Sequence, residues 1–160
     1  MLGMLETLRS KISRRGILVT VIVVVVAFGI LQLVPIRVSN SATNKQPPWD
    51  SPRTLRLAKA ACFDCHSNQT NTYWWEDIAP LSWWITNHVD EGRDALNFSE
   101  CTGHGGEADD AAETISEGSM PPDYYTWLGM HASADLSKTE RQQLADGLRR
   151  TLQGAGCGGE

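Results

Sequence analysis

The sequence predicts an all-α protein: one membrane-crossing helix, then a small domain of about four to five short helices. Three observations carry this. Ile17 to Val34 is an 18-residue apolar run, broken only by Thr20 and Gln32 and by no charge. Helix-start signals at Ser51-Pro52, Ser82 and Ser137 each precede apolar residues at helical spacing. Finally, Cys62-Phe63-Asp64-Cys65-His66 spaces its cysteines so that both thiols sit on one edge of a helical turn.

At 1.5 Å per residue the apolar run spans about 27 Å, just enough to cross a hydrocarbon core. Its valines are poor helix formers in water. In lipid a single segment has no other way to satisfy its backbone, so helix wins. Arg9, Lys11, Arg14 and Arg15 precede the run and only Arg37 follows closely. That bias predicts a cytoplasmic segment 1–16, a transmembrane helix 17–34 ended by Pro35, and everything later outside. The competing reading is a cleaved signal peptide. Against it, the run is long for one and Val34-Pro35-Ile36-Arg37 offers no small-x-small cleavage site. Residues 35–49 are polar, carry Pro47-Pro48, and read as a linker that lifts the domain off the membrane.

The domain is expected over 50–153, with a Gly-rich tail at 154–160. Ser51 or Asp50 caps a helix that takes Pro52 in its first turn, where proline costs least. Leu57, Ala60 and Ala61 face inward, and the small residues admit a closely crossing helix. Ser82 starts a second helix. Trp74, Trp75, Trp83 and Trp84 form a dense aromatic segment, read as core or as the wall of a cofactor site. Residues 97–110 are glycine-rich and acidic, hence loop, and a short helix is expected at 111–117. Ser137-x-x-Glu140 is a capping box, and Leu144, Leu148 and Leu152 make one stripe of a last helix that stops at Gly154.

The C-x-x-C-H spacing is the attachment signature of a c-type haem. Two thiols on one helical edge can bond both vinyl groups of one porphyrin, and the next histidine offers a ring nitrogen to the iron. On this reading Cys62 and Cys65 are the covalent anchors and His66 the proximal ligand of haem c. A zinc half-site or a redox dithiol competes. Cys62, Cys65, Cys101 and His104 together have tetrahedral ligand types. Candidates for the second axial position are Met120, Met130, His88, His104 and His131. Met120 leads, because Pro121 and Pro122 hold the following backbone extended and present its thioether rigidly. Cys101 and Cys157 remain. In an oxidising compartment they form either a disulfide, closing about 56 residues and worth about 3–4 kcal/mol, or free thiols.

The blocks also resemble a family. In order they are Pro47-Pro48-Trp49-Asp50-Ser51-Pro52, Ala61-Cys62-Phe63-Asp64-Cys65-His66-Ser67-Asn68, Ile78-Ala79-Pro80 with Ser82-Trp83, Glu91-Gly92-Arg93, Leu96-Asn97-Phe98-Ser99, Gly118-Ser119-Met120-Pro121-Pro122 and Leu136-Ser137-x-x-Glu140-Arg141. They are similar to the membrane-anchored bacterial haem-binding domain proteins, which are like small cytochromes c. The resemblance covers most of 47–150. It implies a monohaem all-α fold with Cys62 and Cys65 as thioether anchors, His66 proximal and Met120 distal. Cys101 departs from it, standing where an aromatic is usual, and so does the glycine-rich, acidic stretch 104–110.

The whole chain carries −5, but residues 41–160 hold nine basic and eighteen acidic side chains, leaving −9. Such a surface excludes nucleic acid and suits either plain solubility or a redox partner with a basic docking face. The expected function is a membrane-tethered electron carrier on the outer face of the cytoplasmic membrane, alone or within a respiratory or photosynthetic complex. A haem-based gas or redox sensor is the alternative. A peroxidase would have to recruit His104 or His131, and no enzymatic activity is expected.

Overall fold

The computed structural model describes residues 13–103 and 107–155. Helix α1 (Arg14–Leu31) begins where the Ser13 hydroxyl accepts the Arg15 N–H at 3.2 Å. It starts three residues before the apolar run and stops three short of its end. Past Leu31 the chain tightens into short turns, with the Gln32 N–H on Gly29 O and the Leu33 N–H on Ile30 O, ahead of Pro35, which has no N–H to continue a helix. The Gln32 carboxamide is drawn away to the peptide of Ala79, donating to its carbonyl and accepting from its N–H, both at 3.0 Å. The helix has a mean hydropathy of 2.2 and no buried residue, so it is long and apolar enough to cross a membrane.

Residues 35–49 form neither helix nor strand, yet they do not hang free as a spacer would. Arg93 pins them: its guanidinium donates to Ser39 O (2.7 Å) and Asn40 Oδ1 (2.8 Å), and also to Ser67 O (2.9 Å) and Thr70 Oγ1 (3.0 Å). Asn40 pairs with the Thr70 peptide through both its amide groups, and the Lys45 N–H donates to Ser99 O at 2.6 Å. At the end of this strap Trp49 packs against Phe63 and Phe98, with ring centroids 6.0 and 5.3 Å away.

The domain is all-α apart from one two-residue ladder. Its helices are α2 (Pro52–Ala61), α3 (Phe63–His66), α4 (Leu81–Ala95), α5 (Glu107–Glu117), α6 (Asp123–Thr126) and α7 (Lys138–Ala155). Among the described residues these are six, two of them single turns. Short 3-10 turns at Trp127–Gly129 and Ala132–Ala134 fill the connection before α7. Strand β1 (Leu96–Asn97) pairs antiparallel with β2 (Thr102–Gly103).

Local chemistry accounts for the ends. The Ser51 hydroxyl accepts the Thr54 N–H at 3.1 Å, with Pro52 in the first turn of α2. Ser137 and Glu140 bond reciprocally at the start of α7, at 3.1 and 3.3 Å. Helix α5 begins four residues earlier than expected. Acidic residues suit the positive end of a helix, and Asp109 is held by Arg149 of α7 at 2.9 Å.

The core joins α2, α5 and α7. Leu144, Leu148 and Leu152 are all buried, as their spacing predicts, against Leu57, Ala58, Ala112 and Ile115. On α2 it is Leu57 and Ala58 that are buried, while Ala60 and Ala61 are only half-buried. The α2–α7 crossing is close: a Cβ on Gly147 would run into the side chain of Thr54. Phe63 lies in this core at 4% exposure, so the first variable position of the cysteine motif anchors the motif to the hydrophobic interior.

Candidate haem site

The cysteine motif folds as the spacing predicts. The Cys62 N–H donates to Ala58 O (2.8 Å), ending α2. The Cys65 and His66 N–H groups both return to Cys62 O, at 3.2 and 2.8 Å, making the single turn of α3. Both thiols are free and half-buried. Burial, with the neighbouring Cys65, pushes the Cys62 thiol up to about 12; burial, with Asp64, pushes Cys65 up to about 11. Reactive redox dithiols carry a lowered thiol pKa, and burial here acts in the opposite direction.

His66 is oriented by the backbone. Its Nδ1 lies 3.1 Å from the Leu96 carbonyl. A carbonyl only accepts, so Nδ1 carries the proton and Nε2 is the nitrogen left for a metal. Burial lowers the pKa of His66 below its ordinary value, while bonds to the backbone of Leu96 and Gly92 pull the other way. The ring is therefore neutral at neutral pH, the form that ligates.

The Leu96 carbonyl is itself held by a buried polar lock. The Phe98 N–H donates to His66 O (2.8 Å), Asn97 Nδ2 to Asn68 Oδ1 (3.0 Å), the Asn68 N–H to Ser99 Oγ (3.0 Å), and the Ser99 N–H to Asn97 Oδ1 (2.9 Å). Asn68, Asn97 and Ser99 are all buried. From the other side Gly92 brings α4 against the motif; a Cβ there would stand 2.7 Å from Cys65 O.

The candidate second ligands divide. His131 stacks on Tyr125 (centroids 3.9 Å, planes 10° apart), with Nδ1 3.9 Å from Asp64 Oδ2 and Nε2 3.7 Å from Glu76 Oε1. Both its nitrogens thus face carboxylates. Tyr125 donates to Asp64 at 2.5 Å, and burial followed by that bond raises its phenol pKa. His88 turns Nδ1 to Trp84 O at 2.9 Å and packs on the indole. His104 lies outside the described residues. Met130 follows the left-handed pair Leu128 (φ 55°) and Gly129 (φ 73°) and is half exposed.

Met120 extends from the end of α5. Gly118 turns left-handed there (φ 83°), and the N–H groups of Ser119 and Met120 both donate to Thr114 O, at 3.0 and 3.2 Å. The thioether side chain is 41% exposed. Cys101 is disulfide-bonded. Its expected partner Cys157 lies outside the described residues. A disulfide sulfur is no thiolate, which removes Cys101 from the four-ligand zinc arrangement. Among the described residues no group of three or more His, Cys, Asp or Glu side chains is placed to hold a metal ion.

The tryptophans do not form one wall. Trp83 donates to Val34 O (3.1 Å), Trp75 stacks on Tyr73, and Trp74 is 78% exposed. Trp84, at 46% exposure, meets Tyr124 edge-on at 5.1 Å. Burial raises the phenol pKa of Tyr124 above its ordinary value. Trp84, Tyr124, Met120 and Met130 are large apolar side chains left uncovered in a small domain. Two free thiols and one imidazole nitrogen fixed for ligation, in a domain that leaves large apolar side chains uncovered, fit a flat apolar macrocycle with a central metal.

Such a fold and donor set define a haem-binding helical domain. The family model described as haem-binding domain matches residues 26–150, and the chain belongs to that family. No curated protein and no solved structure matches the chain. The matched span begins inside α1 and runs on through the strap and the domain.

Proposed function

We propose that the protein is a membrane-tethered c-type cytochrome with one covalent haem, carrying single electrons on the outer face of the cytoplasmic membrane. One observation carries the reading: the His66–Leu96 bond beside two free thiols on a single helical turn. Cys62 and Cys65 would hold the haem through thioethers, and His66, through Nε2, and Met120 would be the ligands to its iron. When bound, the haem supplies a one-electron couple between ferrous and ferric iron.

The chain's own residues do the rest. The Leu96 carbonyl fixes the imidazole tautomer, and the Asn68–Asn97–Ser99 lock fixes that carbonyl. Phe63 ties the motif to the core. The acidic domain favours a redox partner with a basic docking face. The basic residues before α1 favour an inside N-terminus. Tethering holds the carrier near membrane complexes at high effective concentration. The role is transfer of electrons and not turnover of a substrate.

The test is Met120→Ala in the haem-loaded protein. The variant is expected to keep its haem through denaturation, to lose reduction potential, and to bind carbon monoxide in the ferrous state. An unchanged spectrum and potential would remove Met120 from the axial position. Rapid carbon monoxide binding by the unmutated protein would instead favour the sensor reading.

A further inference from the structure

We infer that the domain sits directly on the bilayer, with the first turn of α4 pressed into the lipid interface and Gln32 as the latch that holds it there. The inference rests on the membrane-anchor reading and adds to it an orientation and a second lipid contact.

The length of α1 makes the first argument. Its uncharged part, Gly16–Leu31, spans about 24 Å, while a hydrocarbon core is about 30 Å thick. The missing depth must be apolar. Leu33, Val34 and Ile36 supply it, all of them exposed, at 78%, 47% and 44%. They flank the point where the chain meets the domain. Leu81, 38% exposed at the start of α4, is two residues from the peptide that Gln32 holds.

The second argument is the latch itself. Gln32 both donates to and accepts from one peptide, that of Ala79, whose side chain is buried. The pair is part-buried; in bulk water it would still compete with solvent on its open side, whereas at a membrane edge losing a partner leaves an amide group poorly solvated. Beside it, the Trp83 indole N–H donates to Val34 O at 3.1 Å. An indole with one end apolar and the other hydrogen-bonded is the side chain that favours the interface.

The third argument is the lack of slack. Gln32 is bonded immediately after the helix ends, Val34 O is held by Trp83, and Ser39 and Asn40 are pinned by Arg93. There is no free length on which the domain could swing. The cofactor site, reached through the same α4, is thereby held at a fixed height and tilt over the lipid.

The experiment uses the full haem-loaded chain in vesicles of phosphatidylethanolamine and phosphatidylglycerol, doped with a phosphatidylglycerol that carries a photoactivatable diazirine on its acyl chain. Crosslinked peptides are mapped by mass spectrometry. Adducts are expected on α1, on residues 33–36 and on residues 80–83. In Gln32→Ala, adducts on 80–83 should fall several-fold while those on α1 persist. Adducts confined to α1 would overturn the seat and leave the anchor standing. Equal adducts on 80–83 with and without Gln32 would overturn the latch. No adducts anywhere would bring down the anchor reading itself.

Discussion

Gly92→Ala is the sharpest probe of how the motif is held. The added Cβ would lie 2.7 Å from Cys65 O and 3.3 Å from both Cys65 C and Cys65 Cβ. Ordinary carbon–oxygen contact begins near about 3.3 Å, so the two backbones must part by about 0.6 Å. Two effects oppose one another. Alanine gains up to about 1 kcal/mol over glycine in a helix interior. Overpacking costs about 1–3 kcal/mol, and the upper part of that range applies because a backbone carbonyl cannot rotate away as a side chain can. The net loss is about 1–2 kcal/mol, a fall of roughly 5–15 °C in Tm for a domain near 100 residues. Gly29→Ala is the control: the same change in α1 meets nothing within 4 Å and brings only the helical gain. Both variants are melted as full chains in detergent, followed by circular dichroism. If Gly92→Ala were as stable as Gly29→Ala, the close approach of α4 to Cys65 would be refuted.

Arg93→Ala removes four charge-assisted bonds that join the strap to the motif. Limited proteolysis should then cut within residues 36–46, and stability should drop by about 2–3 kcal/mol in denaturant titrations. Met120→Ala separates haem retention from axial ligation, as set out above. Glu140 is held below its ordinary value of 4.5 by the Ser137 hydroxyl and N–H and by Arg53. A carboxylate lowered on folding stabilises above its unfolded value and loses that contribution as pH falls through the folded one. Ser137→Ala should therefore lower Tm near neutrality, and the gap to the unmutated protein should narrow as pH drops below about 4.5.

What the sequence made legible was whatever local chemistry decides. The Ser51 and Ser137 caps, the leucine stripe of α7, the apolar anchor and the single turn of the cysteine motif all follow from contacts within a few residues. The reach of Gln32 to Ala79, 47 positions away, is not local and has no sequence signature. The strap was read as a spacer because its composition is polar; its bonds come from Arg93 on a later helix. The group that orients His66 is the carbonyl of Leu96, and a backbone carbonyl has no sequence signature. Its nearest clue was the Asn97-Phe98-Ser99 block beside it. His131 is a candidate ligand by residue type, but Asp64 and Glu76 face its two nitrogens.

Intact-mass measurement of the full chain, made in a host that attaches haem to exported proteins and then denatured in acid, tests the covalent claim most directly. One porphyrin's mass should remain on the polypeptide, and Cys62→Ser with Cys65→Ser should abolish it. A bare chain mass from the unmutated protein would contradict the account, since Cys62 and Cys65 would then be holding nothing.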